Sequence, residues 1–410
     1  MAAVAAAREG AGVLVLEGDV KPRRKLLATG NGRCNLSNAI IENDWIEAAQ
    51  DAALDAVSAA CTSTHDFHLP SNLAYRNLDF ARNALSAMGC KQTRAMFADM
   101  GLETFEDMEG RVYPITNKAR SVADVLANEC EALGVQTELD AEVIEVQPHD
   151  DVWTCRIGDG RLFHSKCVVV ATGGVLGMLD RLGLSIQLRH PVLGPLATQN
   201  KLARKLSGVR SRCVATLKRG GSTLLQMQGE VLFRKYGLSG IVIFDISRFA
   251  QQGDVIVLDI IPSMSINALA QNLERRVMKA TGTESGTCRK ALDGLLQPEI
   301  ADALLAEMGT SPDASASKLD VAKLAWMLKH LEFDVTDGVL DDGAQCARGG
   351  IDVSEVDAST MAVRSQSGLF ACGEAIDVDA ACGGFNLQWA WSSGFAAGNA
   401  AAKTSKASSR

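Results

Sequence analysis

An apolar run that ends in glycines limits the folds open to this chain more than any other feature. Residues 167–171 read Cys-Val-Val-Val-Ala and are followed by Thr172, Gly173 and Gly174. Strands of a parallel sheet are covered on both faces and therefore read as continuous apolar runs. Glycines at the carboxyl end of such a strand let the backbone approach a ligand closely. The run predicts an α/β protein with a ligand site at this end of its sheet.

A second run of the same kind lies near the other end of the chain. Residues 368–374 read Gly-Leu-Phe-Ala-Cys-Gly-Glu, and Gly383 and Gly384 then precede a helical segment. A Gly-Gly turn before a helix presents backbone amide donors and the positive end of the helix dipole, which suits a pyrophosphate or the electron-rich edge of a reduced flavin. We expect the strands at 167–171 and 369–372 to lie in one region.

The amino-terminal residues are typical of the later part of a βαβ unit. Residues 2–9 are predicted to form an Ala-rich helix, and residues 13–16 a short strand that ends at Glu17. In a dinucleotide-binding unit an acid at this place binds ribose hydroxyls, after a first strand and a G-x-G-x-x-G turn. That strand and turn do not occur in the sequence, which predicts a gap beside 13–16. An isolated surface helix before an unrelated strand is the alternative.

A polar loop rich in glycine and basic residues occupies positions 23–38. Such a loop exposes backbone N–H groups as a nest for anions, and Lys25 and Arg33 add positive charge. The alternative is a solvated basic turn.

The next segments are predicted to be helical and then antiparallel. Residues 43–107 have a helical pattern with polar loops, and another helix is expected to start near Ser121, with Asp124 completing a variant capping box. Alternating polarity over 135–146 and 152–157 predicts antiparallel strands.

Between about 190 and 340 the pattern changes to a β-rich insert followed by helices. The helices are expected from about 265 to 332, joined by Ser/Thr/Gly loops. The predicted strands lie near 213–217, 224–227, 229–233, 241–246 and 254–261.

Charge and cysteine content exclude several functions. The 41 Lys and Arg against 49 Asp and Glu give a net charge of −8, and no run of basic residues could neutralise a phosphate backbone, so no nucleic acid partner is expected. No apolar segment reaches the length of a membrane span and no signal peptide pattern occurs, so we expect no membrane partner and a cytoplasmic protein. The 11 cysteines include no C-x-x-C pair, which predicts reduced thiols and no metal site.

Five long motifs follow one another along the chain: RKLLATGNGRCNLSN, GRVYPITNKARSV, VVVATGG, GEVLFRKYGLSG and GLFACGEAIDVDAACGGFNLQWAWSSGFAAG. With them, nearly the whole chain resembles the bacterial aminoacetone-oxidase-like, BaiN/YhiN-like FAD-dependent oxidoreductases. The resemblance implies an α/β fold of the two-dinucleotide type: a Rossmann-type FAD-binding domain with inserted β-barrel-like and small helical domains. The implied parts are the FAD-binding domain at 1–189 and 341–403, the insert at 190–340 and a tail at 404–410.

The same resemblance implies which residues contact FAD. Glu17 would hold the adenosine ribose, and the backbone of Val143 would meet the adenine. Asp377 would bind hydroxyls, because a buried carboxylate beside a pyrophosphate is costly unless it accepts hydrogen bonds. The other implied contacts are Lys25, Gly30, Asn31, Gly32, Arg33, Cys34 and Asn35 along the cofactor; Ala171, Thr172 and Gly173 at its adenosine half; Gly373, Glu374 and Asp379 over the ribityl–pyrophosphate segment; and Gly384, Phe385, Asn386 and Leu387 at the isoalloxazine.

The sequence departs from the family in two places. The first strand and its glycine turn are absent, which predicts weak FAD binding by the chain as written. The segment from Val175 to His190 is shorter than the family's loop beside the flavin, so the substrate cannot be carried over from the family.

The resemblance implies hydride exchange between flavin N5 and a small-molecule substrate, with NADH or NADPH as the reductant. A conjugated enone of steroid or bile-acid type and an amine are the two substrate classes left open. Tyr113, Tyr236 and Cys382 are the candidates for proton transfer. The alternatives are a flavin-binding accessory protein without turnover, related to RNA modification, and a truncated flavoprotein that cannot hold FAD.

Overall fold

The computed structural model of the protein describes residues 1–42, 74–283, 286–340 and 343–407. These residues form two compact units. Within them, the first unit takes 1–42, 74–190 and 346–407, and the second takes 191–283, 286–340 and 343–345. The predicted helical region at 43–107 falls partly on 43–73, which lies outside the described residues.

Both units contain helices and strands. The helices are α1 (Ala2–Arg8), α2 (Arg24–Ala28), α3 (Leu78–Ala87), α4 (Cys90–Asp99), α5 (Ala119–Ala132), α6 (Lys201–Lys205), α7 (Ile241–Ser247), α8 (Ile266–Thr281), α9 (Cys288–Leu292), α10 (Pro298–Glu307), α11 (Val321–Lys329) and α12 (Phe385–Ala407). The strands are β1 (Leu14–Leu16), β2 (Ser37–Asn38), β3 (Thr104–Glu106), β4 (Arg111–Pro114), β5 (Gln136–Glu138), β6 (Val143–His149), β7 (Val152–Ile157), β8 (Leu162–Ser165), β9 (Val168–Val170), β10 (Ile186–Val192), β11 (Leu196–Thr198), β12 (Arg210–Arg219), β13 (Ser222–Arg234), β14 (Gly237–Ser239), β15 (Val255–Asp259), β16 (Leu331–Val339), β17 (Cys346–Ile351) and β18 (Leu369–Ala371).

Two parallel strand pairs lie in the first unit. The pairing of β9 with β18, with Val168 opposite Leu369, confirms that the two glycine-terminated runs lie together. β1 pairs with β5, and β5 is its only partner among the described strands. Leu14 of β1 is 39% exposed, as expected for a strand with an open edge.

The antiparallel prediction for 135–146 is wrong in its first half. β5 runs parallel to β1, because α5 crosses over and leads directly into it, as in a βαβ unit. Only β6 is antiparallel, pairing with β7, which in turn pairs with β8. A short strand carries too few residues for its polarity pattern to distinguish the two pairings.

Helix α5 begins earlier than predicted and without the expected cap. Its first residue is Ala119 and no side chain caps it. Ser121 instead shares a hydrogen bond of 2.7 Å with the Thr116 hydroxyl, and Asp124 accepts a 2.7 Å hydrogen bond from Arg120 Nε. The capping prediction is wrong because both side chains have nearer partners.

Helix α12 forms the centre of the first unit. Its buried residues pack against α1, α3, β9 and β18. Gly398 lets α1 approach closely, since a Cβ there would overlap the Ala2 carbonyl and lie 2.9 Å from Ala5 Cβ. The apolar core beside α12 therefore joins the amino-terminal and carboxyl-terminal segments.

The second unit contains a closed antiparallel barrel with the strand order β11-β14-β13-β12-β15-β16. This confirms the barrel-like insert, and it merges the two predicted strands at 224–227 and 229–233 into β13. The strand predicted at 241–246 is wrong, because these residues form α7. A short run of apolar residues fits a buried helix as well as a buried strand.

None of the described helices combines the length and the apolar character that crossing a membrane requires. Ten cysteines lie in the described part of the chain, and all ten are free thiols.

Candidate cofactor site

The predicted nest after α2 is a tight loop with unusual backbone angles. Gly30, Asn31, Gly32 and Cys34 all have positive φ, at 55°, 55°, 81° and 58°. The loop is fixed on one side by Cys34, which is fully buried in an apolar cluster with Phe97. Burial raises the pKa of the Cys34 thiol to about 11. The Cys34 side chain therefore belongs to the core, which leaves its backbone for the predicted contact with a cofactor.

Strand β2 brings this loop against the amino end of α12. The Asn38 side-chain amide donates a 3.1 Å hydrogen bond to the Gly383 carbonyl. Gly384 has a φ of 100°, and a Cβ there would overlap the Ser37 carbonyl and lie 2.9 Å from Asn35 Oδ1. Only glycine allows this approach, so the predicted loop and the predicted Gly-Gly turn do meet.

A buried polar network fixes α12 in this position. Gln388 is fully buried, and its Nε2 lies within hydrogen-bond distance of three oxygens: the Met88 carbonyl at 2.7 Å, Thr93 Oγ1 at 2.8 Å and Ser392 Oγ at 2.9 Å. Its Oε1 accepts a 2.6 Å hydrogen bond from Ser37 Oγ. Since each member is satisfied by another, the network specifies one arrangement of these segments.

The remaining predicted residues of α12 support the turn that precedes it. The Asn386 side chain accepts from the Ala380 amide at 2.9 Å and donates to the Ala380 carbonyl at 2.8 Å. The Phe385 carbonyl accepts a 2.6 Å hydrogen bond from Tyr75, and Leu387 packs at the edge of the apolar cluster around Cys34. Asn386 thus closes the 380–386 loop with its own side chain.

Gly373 connects β18 to α12. Its amide donates to Ser393 Oγ at 2.8 Å, and its carbonyl accepts from Trp389 Nε1 at 3.0 Å. With a φ of 61°, it turns the chain toward Glu374.

Asp377 and Asp379 are both buried and both paired with arginines. Asp377 accepts from Arg76 and, at 2.9 Å, from the Gly349 amide. Asp379 receives two hydrogen bonds from Arg348, at 2.9 and 3.1 Å. The carboxylates thereby hold the 377–379 segment in place, and their predicted contact with the cofactor stays a prediction.

The turn after β9 is lined by charged side chains from distant segments. Thr172 donates to the Val175 carbonyl at 2.6 Å. Lys25 Nζ lies 3.2 Å from the place that a Cβ on Gly173 would take, and the Arg189 guanidinium covers Gly174. Ala171 and Thr172 are exposed at this turn.

Glu17 lies at the carboxyl end of β1. Its Oε1 accepts a 3.1 Å hydrogen bond from the Asp19 amide, and its carbonyl accepts from the Ala141 amide at 2.9 Å. Val143 begins β6 two residues beyond Ala141. The segments of the two residues predicted for the adenosine end are therefore in contact.

The three proton-transfer candidates lie in different places. Tyr113 is buried on β4, with the Arg33 guanidinium 4.9 Å from its ring centroid, and burial raises the pKa of its phenol. Cys382 is half-buried in the 380–386 loop. Tyr236 is exposed and belongs to the second unit.

Several residues of this region carried no signal in the sequence. Arg76, Arg348 and Arg189 are single arginines outside any motif, and their partners Asp377, Asp379 and Glu374 become evident only in the fold. The sequence alone does not show which arginine meets which buried carboxylate, so these three residues could not be predicted.

The parallel strands, the glycine turns at their carboxyl ends and the amino end of α12 are those of a Rossmann-type flavoprotein. The chain belongs to the family described as HI0933-like protein Rossmann domain, which matches residues 56–400. The resemblance seen in the motifs is thereby confirmed, and the chain is an FAD-dependent oxidoreductase.

Two relatives and one solved structure show the extent of the similarity. The chain is 30% identical over 429 residues to a 3-dehydro-bile acid delta(4,6)-reductase of Clostridium scindens, covering 98% of this chain and 96% of that protein. It is 26% identical over 414 residues to a ribosomal RNA dihydrouridine synthase of Escherichia coli, covering 95% and 92%. A 3-ketosteroid-delta4-(5alpha)-dehydrogenase from Rhodococcus jostii RHA1 superposes with a TM-score of 0.47 at 15% identity, covering 98% of this chain and 94% of that one.

The residues present fit FAD at the start of α12. Asn35 Oδ1 is buried there without a hydrogen-bond partner, and leaving such an atom unpaired costs about 1–3 kcal/mol. The isoalloxazine ring has an N–H group that could donate to it. The backbone amides of the first turn of α12 lack acceptors within the helix, which suits the electron-rich edge of the ring. Asn35 and the residues from Gly384 to Leu387 would hold this part of the cofactor.

Proposed function

We propose that the protein reduces a carbon–carbon double bond conjugated to a carbonyl group in a small, uncharged organic substrate. The observation that carries this proposal is the chemistry shared by the two named relatives. A delta(4,6)-reductase of a 3-dehydro-bile acid acts on double bonds conjugated to a ketone. Dihydrouridine is uridine whose ring double bond, conjugated to a carbonyl, has been saturated. The substrates differ greatly in size and charge, whereas the bond that is reduced is of one kind.

The reaction adds a hydride to one alkene carbon and a proton to the other. FAD, when bound, supplies the hydride from N5 after reduction by NADH or NADPH. The chain must supply the proton and the orientation of the substrate. Tyr113 is our choice for the proton donor, because a phenol carries its proton at neutral pH and Tyr113 lies on β4, the strand next to β2. Cys382 is the alternative, since it precedes Gly383 and Gly384.

An apolar surface beside the site supports a small hydrophobic substrate. Phe105 and Tyr113 are opposite each other in β3 and β4, with ring centroids 5.9 Å apart, so they share one face of the hairpin. Ile115 follows directly after the end of β4 at Pro114. Phe105 and Ile115 are 37% and 66% exposed, and Met108 at the tip is fully exposed.

The hairpin is continuous with the cofactor site through β2. β2 pairs with β4 on one side, and the Ser37 carbonyl touches Gly384 on the other. One strand therefore separates the face that carries Phe105 and Tyr113 from the start of α12. A substrate with an apolar ring body could rest on the hairpin while its reacting end reaches the cofactor.

The charge of the hairpin favours a neutral substrate over RNA. Residues 103–109 carry four carboxylates, and Arg94 and Arg111 pair with only three of them. A polyanion would be repelled here, since RNA binding depends on cations that neutralise phosphates. We therefore propose no nucleic acid partner, although one relative is named for ribosomal RNA.

The test is anaerobic mixing of the protein in its reduced, FAD-loaded form with candidate acceptors. Reoxidation of the flavin by 4-androstene-3,17-dione, with formation of the ring-saturated ketone, is the expected result. Reoxidation by a uridine-containing RNA but not by the ketone would overturn the substrate class. An oxidised enzyme bleached by an amine would overturn the direction of the reaction. No response to any of the three, with flavin bound, would support an accessory protein without turnover.

A further inference from the structure

Two cationic side chains lie directly on the glycine turn that follows β9. Lys25 Nζ stands 3.2 Å from the Cβ position of Gly173, and the Arg189 guanidinium occupies the Cβ position of the next residue, Gly174. The two cations therefore contact consecutive residues of one stretch of backbone. Any side chain larger than hydrogen at Gly174 would displace Arg189.

The charges at this turn are not balanced within the described residues. Arg189 Nη2 donates to Glu374 Oε1 at 2.6 Å, and the same oxygen accepts the Ala347 amide at 3.0 Å. Lys25 forms no ion pair with any described residue. One carboxylate thus faces two cations, in a chain whose net charge is −8.

Arg189 also has an unused donor. Its Nε is buried and has no acceptor, although its side chain as a whole is 29% exposed. A buried N–H of this kind favours a ligand that brings an oxygen acceptor. A guanidinium offers two parallel N–H groups that match the oxygens of a phosphate, and an adjacent ammonium adds a point charge.

We propose that Lys25 and Arg189 form the binding pair for the pyrophosphate of FAD. The two cations lie beside Gly173 and Gly174, at the carboxyl end of β9, where they would attract the phosphate oxygens. The assignment rests on the cofactor of the family and is independent of the substrate proposed above.

The test compares flavins that differ only in phosphate content. Flavin-depleted full-length protein is titrated with FAD, FMN and riboflavin, and binding is followed by flavin fluorescence at several salt concentrations. Lys25→Gln and Arg189→Gln should each weaken FAD binding about 10- to 100-fold, as expected for the loss of a charge-assisted hydrogen bond. Riboflavin affinity should stay within about 2-fold, and the salt dependence of FAD binding should decrease.

Arg181→Gln is the matched control, because Arg181 is exposed, pairs with Glu145 and leaves the turn intact. It should change none of the three affinities. If Arg189→Gln does not fold, Lys25→Gln and Arg189→Lys are measured instead. Arg189→Lys should retain most of the FAD affinity.

Three results would overturn the assignment. Equal losses for FAD and riboflavin would make Arg189 a structural partner of Glu374. Unchanged FAD affinity in both variants would place the pyrophosphate elsewhere. A loss for FMN as large as the loss for FAD would assign the pair to the ribityl phosphate alone rather than to the pyrophosphate. Each readout is a binding measurement, so failure of the proposed reaction would leave it unaffected.

Discussion

Different kinds of hydrogen bond stabilise the interior of each unit of the molecule. In the second unit, six strands close a barrel in which every strand has two hydrogen-bonded neighbours. In the first unit, the strands form sheets of two or three, and side chains from α12 join them. A barrel ladder uses backbone groups that every sequence supplies, whereas the links from α12 depend on particular side chains.

Because of this difference, stability and cofactor binding should depend on the same residues in the first unit but not in the second. The residues that hold the first unit together are also those that shape the candidate cofactor site. Comparable substitutions in the two units should therefore both destabilise the protein, but only those in the first unit should also weaken flavin binding. Matched pairs of variants can test this.

The largest effect is expected for Gly384→Ala, with Gly237→Ala in the barrel as its counterpart. Both glycines have positive φ, at 100° and 149°, and a Cβ at either would overlap a backbone carbonyl. Backbone strain and overpacking together should lower the free energy of unfolding by roughly 2–6 kcal/mol in each variant. Flavin bound per folded chain should fall only in Gly384→Ala. Equal flavin content in both variants would contradict the comparison.

Next in size is Gln388→Leu, which removes the hydrogen bonds of Gln388 to Ser37 Oγ and Thr93 Oγ1 and leaves the Met88 carbonyl with Ser392 Oγ as its side-chain donor. We expect a loss of about 2–4 kcal/mol in urea unfolding, because several buried polar groups lose their hydrogen bonds at once. Gln226→Leu is the barrel control, since Gln226 is half-buried and its amide bonds Thr216 at 3.0 Å. It should cost less than about 1 kcal/mol. A similar loss of unfolding free energy in both variants would show that the network around α12 stabilises the protein no more than the single hydrogen bond in the barrel.

A smaller effect is expected for Asp377→Ala, with Asp254→Ala as its counterpart. Asp254 in the second unit is buried and accepts two 2.8 Å hydrogen bonds from Arg219, much as Asp377 is paired with Arg76. Each variant should lose about 1–3 kcal/mol, and both should still fold. FAD affinity should fall roughly 5- to 150-fold in Asp377→Ala alone, by flavin titration. If Asp254→Ala lost flavin equally, the loss would reflect general destabilisation.

The smallest effect concerns Asp357, a residue of the first unit away from the cofactor site. Hydrogen bonds from Ser359 and Thr360 hold the pKa of Asp357 at about 2. A lowered pKa stabilises the fold above the unfolded value near 4, and this contribution is lost as the pH falls toward 2. Asp357→Asn should therefore lower the free energy of unfolding at pH 7 by less than about 1 kcal/mol, because the side chain is 36% exposed.

The difference from wild type should stay constant from pH 7 to about 5 and shrink below about 4. Flavin content should not change. A difference that grew on acidification would contradict the sign of this pKa shift.

Local patterns predicted the parts of the fold that depend on continuous apolar runs. The pairing of β9 with β18 and the barrel of the insert could both be expected, since buried parallel strands and alternating strands have distinct sequences. The helix at Ile241–Ser247 could not, because seven residues with no clear period suit either structure. The direction of β5 depends on a crossover through α5, which alternation within 135–146 does not report.

The site was predictable where glycines mark it and unpredictable where lone side chains complete it. Gly384 and the 29–38 loop could be singled out because their residue types are unusual. The partner of Asp377 lies 301 residues away at Arg76, and the partner of Glu374 lies 185 residues away at Arg189. A single arginine has no periodic pattern, so only the folded chain shows which carboxylate it meets.

The central place of α12 also sets the order in which the molecule can be made. All six barrel strands lie between residues 196 and 339, so they are synthesised before β18 and α12. The side chains of α12 that form hydrogen bonds with Leu36, Ser37 and Met88 are synthesised 300 to 355 residues later than these residues. A nascent chain arrested before Phe385 would carry an assembled set of barrel strands beside an amino-terminal segment with unpaired buried groups and exposed apolar surface. Synthesis of the last helix is thus the step that completes the candidate cofactor site.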